Sequence, residues 1–220
     1  MEMSEEEARN LAAQLGNPTG EDGIAVGQRM LSTNINMIRK SAAALGLKPG
    51  SSLAEVGHGN GGHIRELLEN YNPASYTGLE ISATMQEEAK SATGATTPGT
   101  KLNFMLYDGN SIPLEANSID AILTVNSIYF WKDPGALFQE FRRILRQEGK
   151  VAIGLGEKAF MANLPVVKHG FRTYNRNDLL EVLENTGLKL VDFQDHSETV
   201  ESNMNGLVDR KFHVALLSKD

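Results

Sequence analysis

The chain has no cysteine among its 220 residues. That absence excludes disulfides, thiolate metal sites and cysteine nucleophiles. It also lacks any apolar run near the roughly 18 residues of a membrane helix, and the start, Met1 to Glu7, is acidic rather than basic-then-apolar. The expectation is a cytoplasmic protein with no membrane partner. Basic charge is scarce: 21 Lys and Arg stand against 28 Asp and Glu, a net charge of −7. This argues against a nucleic-acid partner, whose binding depends on clustered cations. The nearest such cluster, Arg142, Arg143 and Arg146, would sit on one helix. His63, His169, His196 and His213 show no metal-ligand spacing, so no metal is expected. Internal repeats and low-complexity tracts are missing too.

What is present fits one globular domain with decoration: 40% of residues are hydrophobic and 22% charged, over a length large for one core and small for two. Residues 1–50 read as an N-terminal helical cap and 51–220 as the core. Ser4 with Glu7 makes a capping box ahead of the stripe Ala8, Leu11, Ala12, Leu15. The stretch Gly16–Gly23 is dense in loop residues, and a second helix is expected from about Val26 to Leu45, closed by Gly46. Short apolar strands and helical patterns then alternate. Strands are expected at Leu53–Val56, Tyr76–Leu79, Leu102–Tyr107, Ile119–Val125, Val151–Leu155, Lys189–Phe193 and Phe212–Leu217. The intervening helices are Gly62–Glu69, Ala83–Ser91, Pro134–Arg146 and Arg176–Asn185, with Ser91–Thr100 a loop. Such alternation implies an α/β fold, a doubly wound and mostly parallel sheet with helices on both faces. The polar segment Asp195–Asp209 carries no helical crossover, so the final strand can return antiparallel as a long hairpin.

The most informative stretch is Glu55-Val56-Gly57-His58-Gly59-Asn60-Gly61-Gly62. Glycines spaced this way let the backbone turn sharply at a strand end and approach a ligand closely. The helix that follows aims its unpaired N–H groups at the loop. Gly57, Gly59 and Gly62 also fit the dinucleotide fingerprint, with Glu80 lying 18 residues beyond Gly62, so a nicotinamide-dependent oxidoreductase is a rival reading. A glycine-rich turn without a ligand is the plainer alternative.

Ligands of open α/β sheets bind beyond the carboxyl ends of the strands. Read in order, those ends carry Glu55, Glu80, Asp108 with Gly109, and Asn126. A carboxylate at the second tip can accept from ribose hydroxyls, and one at the third from an adenine amine. Glu55 beneath the glycine loop suits an ammonium or sulfonium and opposes a pyrophosphate. That electrostatic point favours S-adenosylmethionine over NAD.

The loop Glu55–Gly61, with Glu80, Asp108 and the later Arg143-Ile144-Leu145-Arg146-Gln147-Glu148-Gly149-Lys150-Val151, resembles class I S-adenosylmethionine-dependent methyltransferases, closest to the small-molecule branch labelled type 11. The resemblance covers Ser51 to Leu155 well and Phe171–Asp195 loosely. It implies a Rossmann-like seven-stranded sheet with the last strand reversed. It implies that Glu55, Gly57, His58, Gly59 and Gly61 hold the methionine part of the cofactor, Glu80 the ribose, and Asp108 with Gly109 the adenine. Ile81 and Met85 match positions flanking the adenosine, and Asn126 a position beside the methionine. Two departures stand out. Gln147-Glu148-Gly149-Lys150 replaces the usual proline and second glycine, and Phe130-Trp131 occupies the place where many relatives carry a histidine.

The implied reaction is methyl transfer to a small-molecule acceptor, leaving S-adenosylhomocysteine. A general base is needed only if the acceptor must lose a proton; Tyr129, His169 and Tyr174 are the candidates. The absence of cysteine excludes thiol-dependent arsenite methylation. The acceptor site is expected from Pro18–Asn34 and Gly156–Tyr174, with Tyr129 and Trp131 either lining it or packing in the core. A cofactor-binding but non-catalytic, regulatory domain is another alternative, as is a methyltransferase acting on a macromolecule, where the acidic balance counts against RNA and leaves a protein substrate open. Neither the acceptor nor the oligomeric state is legible.

Overall fold

The computed structural model describes residues 3–94, 99–202 and 206–220. Its centre is a seven-stranded sheet in the order β3-β2-β1-β4-β5-β7-β6. The strands are β1 (Ser52–Val56), β2 (Ser75–Glu80), β3 (Lys101–Leu106), β4 (Ile119–Val125), β5 (Leu145–Gly156), β6 (Leu188–Ser202) and β7 (Gly206–Lys219). The first five run parallel, and β7 is antiparallel to both β5 and β6. This is the Rossmann-like arrangement with a reversed last strand. Residues 95–98 of the loop expected at Ser91–Thr100 lie outside the described residues, as do 203–205 within the polar segment Asp195–Asp209.

The central strands read as near-continuous apolar runs because both faces are covered. One face packs under α5 (Pro134–Ile144) and α7 (Arg176–Leu183), where Phe138, Phe141 and Leu179 meet Val56, Ile122 and Ile153. The other face packs under α2 (Gly20–Leu45), α3 (Ile64–Tyr71) and α4 (Ala83–Thr93), where Ala42, Leu45, Leu68 and Ala89 meet Leu53, Tyr76 and Leu123. The first helix, α1 (Glu5–Gly16), starts from the reciprocal Ser4–Glu7 capping box. A single helical turn, α6 (Lys158–Met161), follows β5.

Three differences from the sequence expectation bear on the surroundings of the site. Helix α2 begins at Gly20, not near Val26. Glu21 and Asp22 favour a helix start through the macrodipole. Gly23 is there because a Cβ would lie 2.7 Å from the Pro18 carbonyl carbon; close packing, not a loop, explains that glycine. Helix α5 stops at Ile144 rather than Arg146, because Leu145 turns extended (φ −63°, ψ 140°) and opens β5. The register slips between Ile119 and Ala121, and Arg146 folds back to Asp120 Oδ2 at 2.6 Å. The third difference is the hairpin. The segment after Asp195, irregular by its sequence, pairs through Ser202 with Gly206–His213 as a two-stranded ribbon.

That ribbon is pinned to α2 by one buried ion pair. Arg210 Nε donates to Glu198 Oε1 at 3.0 Å, and the same guanidinium reaches Asn34 Oδ1 at 3.1 Å and the Thr33 carbonyl. Glu198 Oε2 accepts from Asn36 Nδ2 at 2.8 Å.

Candidate functional site

Strand order reverses between β1 and β4, which opens a crevice beyond their carboxyl ends. A cavity of about 690 Å³ occupies it, well within the ~300–1,000 Å³ of small-molecule sites. The glycine loop after β1 is its floor. Gly57 has φ +75° and Gly59 φ +59°, values open to glycine. A Cβ on Gly57 would press on Ser127 at 2.9 Å, whereas one on Gly59 would stand in open space.

Glu80 governs the shape of that loop. Its Oε2 accepts from Gly59 N at 3.1 Å, and its Oε1 accepts from Ile81 N at 2.8 Å and Ser82 N at 3.1 Å. A carboxylate offers about four lone-pair sites, so one is left for a ligand hydroxyl. Asp108 is exposed, and its Oδ1 takes the N–H groups of Asn110 and Ser111, each at 2.8 Å. Those two bonds, the Ser111 one foremost, hold its carboxyl below the usual range. Oδ2 of Asp108 is left to meet a donor. Ile81 is 40% exposed at the mouth, and Gly109 (φ +81°) backs onto it.

Glu55 is fully enclosed. Its carboxylate lies 2.9 and 3.1 Å from His63 Nε2 and accepts from the Tyr76 hydroxyl at 2.7 Å. Burial alone would raise its pKa; His63 and the Tyr76 hydroxyl outweigh that and hold it below the usual value of 4.5. A depressed carboxyl contributes stability above its unfolded pKa and loses it as pH falls through the folded one. Glu55→Gln has nothing to protonate, so its urea midpoint is expected to change less than the parent's below about pH 4.5.

His58 Nδ1 lies 2.8 Å from the Gly59 carbonyl, so Nδ1 carries the proton. Its Nε2 is buried without a partner among the described residues. Burial pushes the imidazole pKa down.

The cavity is lined by Glu55, Gly57, His58, Gly59, Glu80, Ile81, Met85, Asp108, Gly109 and Asn126, all expected as cofactor residues. Gly61 does not line it. Its φ of +69° is needed for the turn, and a Cβ there would strike Ala89 at 2.6 Å; it packs the loop onto α4. Much of the remaining lining is apolar, with Met30, Leu31, Phe130, Trp131, Phe160 and Phe171 among the walls. Arg210 also lines the cavity, and no sequence signal pointed to it because its partner Glu198 lies twelve residues away across a hairpin read as irregular. His63, passed over as a non-ligand, turns out to partner Glu55; its place one turn past the glycine loop is the signal.

None of the three base candidates is placed to act as one. Tyr174 and His169 do not line the cavity. Tyr174 is in the core, its hydroxyl unpaired among the described residues, and burial pushes its pKa up. His169 Nε2 lies 3.2 Å from Glu5 of α1. Tyr129 does line the cavity, but its hydroxyl donates to Asn126 Oδ1 at 2.9 Å and accepts from Gly156 N at 2.6 Å. Burial drives that phenol far from ionisation at neutral pH. Among the described residues no helix is long and apolar enough to cross a membrane, and no group of three or more His, Asp or Glu could hold a metal ion.

Residues 54–153 match the family model described as a methyltransferase domain. Cycloartenol-C-24-methyltransferase 1 of Oryza sativa subsp. japonica is 32% identical over 108 residues, 48% of this chain and 30% of that one. The chain spans 30%, 45% and 64% of the length of three curated relatives it matches. In three dimensions it superposes on a chain of the complex between the Haloferax volcanii Trm112 methyltransferase activator and a methyltransferase, with TM-score 0.74 and 16% identity over 89% of this chain and 93% of that one. The [4+2]-cyclase SpnF shares the fold at TM-score 0.64 and 19% identity, over 84% of this chain and 80% of its own. The matched segment is thus similar to methyltransferase domains, and the glycine loop, the acids at three strand tips and the reversed seventh strand belong to a chain that shares the fold of these solved structures.

Proposed function

We propose that this protein transfers a methyl group from S-adenosylmethionine to a small, largely apolar acceptor without taking a proton from it. The observation that carries the reading is the mixed lining of one cavity, acidic residues at the strand tips and apolar residues from α1, α2 and the segment after β5. The residues present fit the cofactor: the space above Gly59 admits a close-lying chain, and the carboxylates suit a cationic nucleoside. Glu80 would hold ribose, Asp108 and Ile81 the adenine, and the glycine loop with Glu55 the methionine part. The bound sulfonium supplies the activated methyl. The chain supplies alignment and a water-poor compartment. Met30, Leu31, Phe160 and Phe171 would sheathe the acceptor body. Tyr129 is locked and His169 and Tyr174 lie elsewhere, so an acceptor atom that arrives already nucleophilic, as an amine, a phenolate or an electron-rich carbon, fits the site best.

Calorimetry should show S-adenosylhomocysteine binding and none with NAD; the reverse would overturn the cofactor assignment. Incubation with S-adenosylmethionine and a panel of phenols and amines should yield products heavier by one methylene. Across a phenol series, the pH midpoint of turnover should follow each phenol's own pKa. A midpoint that stays fixed across the series would reveal a protein base and refute the base-free reading.

A further inference from the structure

Between β5 and α7 the chain makes an excursion, residues 157–171, that puts Phe160, Met161, Leu164, Val166 and Phe171 on the cavity wall. Its internal backbone bonds are short-range, such as Met161 N to Glu157 O at 2.9 Å and Val167 N to Leu164 O at 3.1 Å. Both ends meet one residue. At the start, Gly156 N donates to the Tyr129 hydroxyl at 2.6 Å. At the finish, Arg172 N donates to the Tyr129 carbonyl at 3.0 Å. Phe171 adds a third attachment, its ring 5.9 Å from that of Tyr129 and 4.6 Å from that of Phe130. The single hydroxyl proton of Tyr129 goes to Asn126 Oδ1, which leaves its oxygen to accept from Gly156. Tyr129 is itself fixed, buried in the short turn Ile128–Phe130 just after β4. The other ties each hold one point of the excursion: Glu157 N to Lys211 O at 3.0 Å, Lys158 Nζ to Asp178 Oδ2 at 2.8 Å, and His169 to Glu5 at 3.2 Å. Lys158 and Glu5 are open to water, so their ion pairs are weak.

We propose that Tyr129 is a positioning residue for the acceptor: it closes the neck of the excursion 157–171 and so fixes the wall that selects the acceptor's apolar body. The inference rests on the function proposed above. Loops closed at the neck are compact and frequently functional. A wall clasped at both ends by one buried residue keeps its side chains in a single arrangement, which sorts acceptors by size. Released at its start, the same wall yields to bulkier acceptors and holds a fitting one less tightly.

The test uses the full chain. Tyr129→Phe undoes the start of the clasp and keeps the ring and the carbonyl. Hydrogen exchange read by mass spectrometry is expected to show the amides of 157–171 exchanging roughly tenfold faster, the effect of one buried hydrogen bond on local opening. Ile122→Val, in the middle of β4, controls for general destabilisation and should leave those amides within about twofold of the parent. In turnover with S-adenosylmethionine, the KM for para-cresol or, among amines, benzylamine should rise roughly threefold to tenfold, with kcat within about twofold and the pH midpoint unmoved. The preference for that acceptor over its para-tert-butyl analogue should fall by roughly threefold or more. Unchanged exchange in Tyr129→Phe, or equal acceleration by both variants, overturns the proposal. So does a fall in kcat at constant KM, which would return Tyr129 to the chemistry. A parent chain that methylates no phenol or amine refutes the proposed function, while the exchange result still decides the clasp.

Discussion

Replacing Glu80 by alanine is expected to weaken S-adenosylhomocysteine binding about a hundredfold, measured by calorimetry on folded protein. Two losses combine. The ligand loses one charge-assisted hydrogen bond, worth roughly 1.5–3 kcal/mol. The loop loses its tether, since Glu80 is what holds Gly59 N in place, and it also loses the N–H partner for Ile81 and Ser82 at the entry to α4. Glu80→Gln keeps one acceptor oxygen and should lie between, nearer tenfold by the same scale. If Glu80→Ala bound within about threefold of the parent, the ribose assignment would be wrong. The grading matters because three of the carboxylate's bonding sites are already spent on backbone. The sequence expectation of two ribose hydroxyls on this acid therefore meets a group with room for one.

Arg210→Met should be among the most destabilising single changes in the chain. The pair it breaks is enclosed, with side-chain exposures of 11% for Arg210 and 9% for Glu198. Removing one member leaves the other as an uncompensated buried charge, which costs about 3–5 kcal/mol. Urea unfolding is the measurement. A double replacement, Arg210→Met with Glu198→Leu, leaves no stranded charge and should recover much of that loss. A single-variant cost under about 1 kcal/mol would mean that the ribbon is not anchored through this pair, since that is the value of an exposed one.

The parallel core was legible because its physics is local. Strands buried on both faces announce themselves as apolar runs, and β1, β2 and β4 fall within a residue or two of their expected bounds. The glycine loop was legible for the same reason: Gly57, Gly59 and Gly61 take positive φ just past a strand end, and Glu55, Glu80 and Asp108 at the strand tips line one cavity. The antiparallel return through a long hairpin was expected, but the pairing of Asp195–Ser202 with Gly206–His213 was not, since that segment reads as irregular. Glu198 and Arg210 look like loop charges until a partner strand and Asn36 of α2 are brought against them, and only the tertiary fold does that. The role of Tyr129 was hidden likewise. An amphipathic ring near a strand end reads equally as base, wall or core until the donors around its hydroxyl are counted. The start of α2 was misread because Gly20 and Gly23 were taken for flexibility when close packing required one of them.

Helix α2 is one continuous element with two occupations. Its earlier turns, at Met30, Leu31 and Asn34, face the cavity, while Ala42 and Leu45 are sunk in the core against β1 and β4. A rigid rod so keyed cannot swing outward without exposing apolar surface at its far end. Movement that admits a ligand is then expected at α1 and the residues after β5, which Glu5 and His169 join at 3.2 Å. Substitutions around Met30 should reshape the cavity wall at little cost to folding, whereas enlarging Ala42 or truncating Leu45 should cost stability.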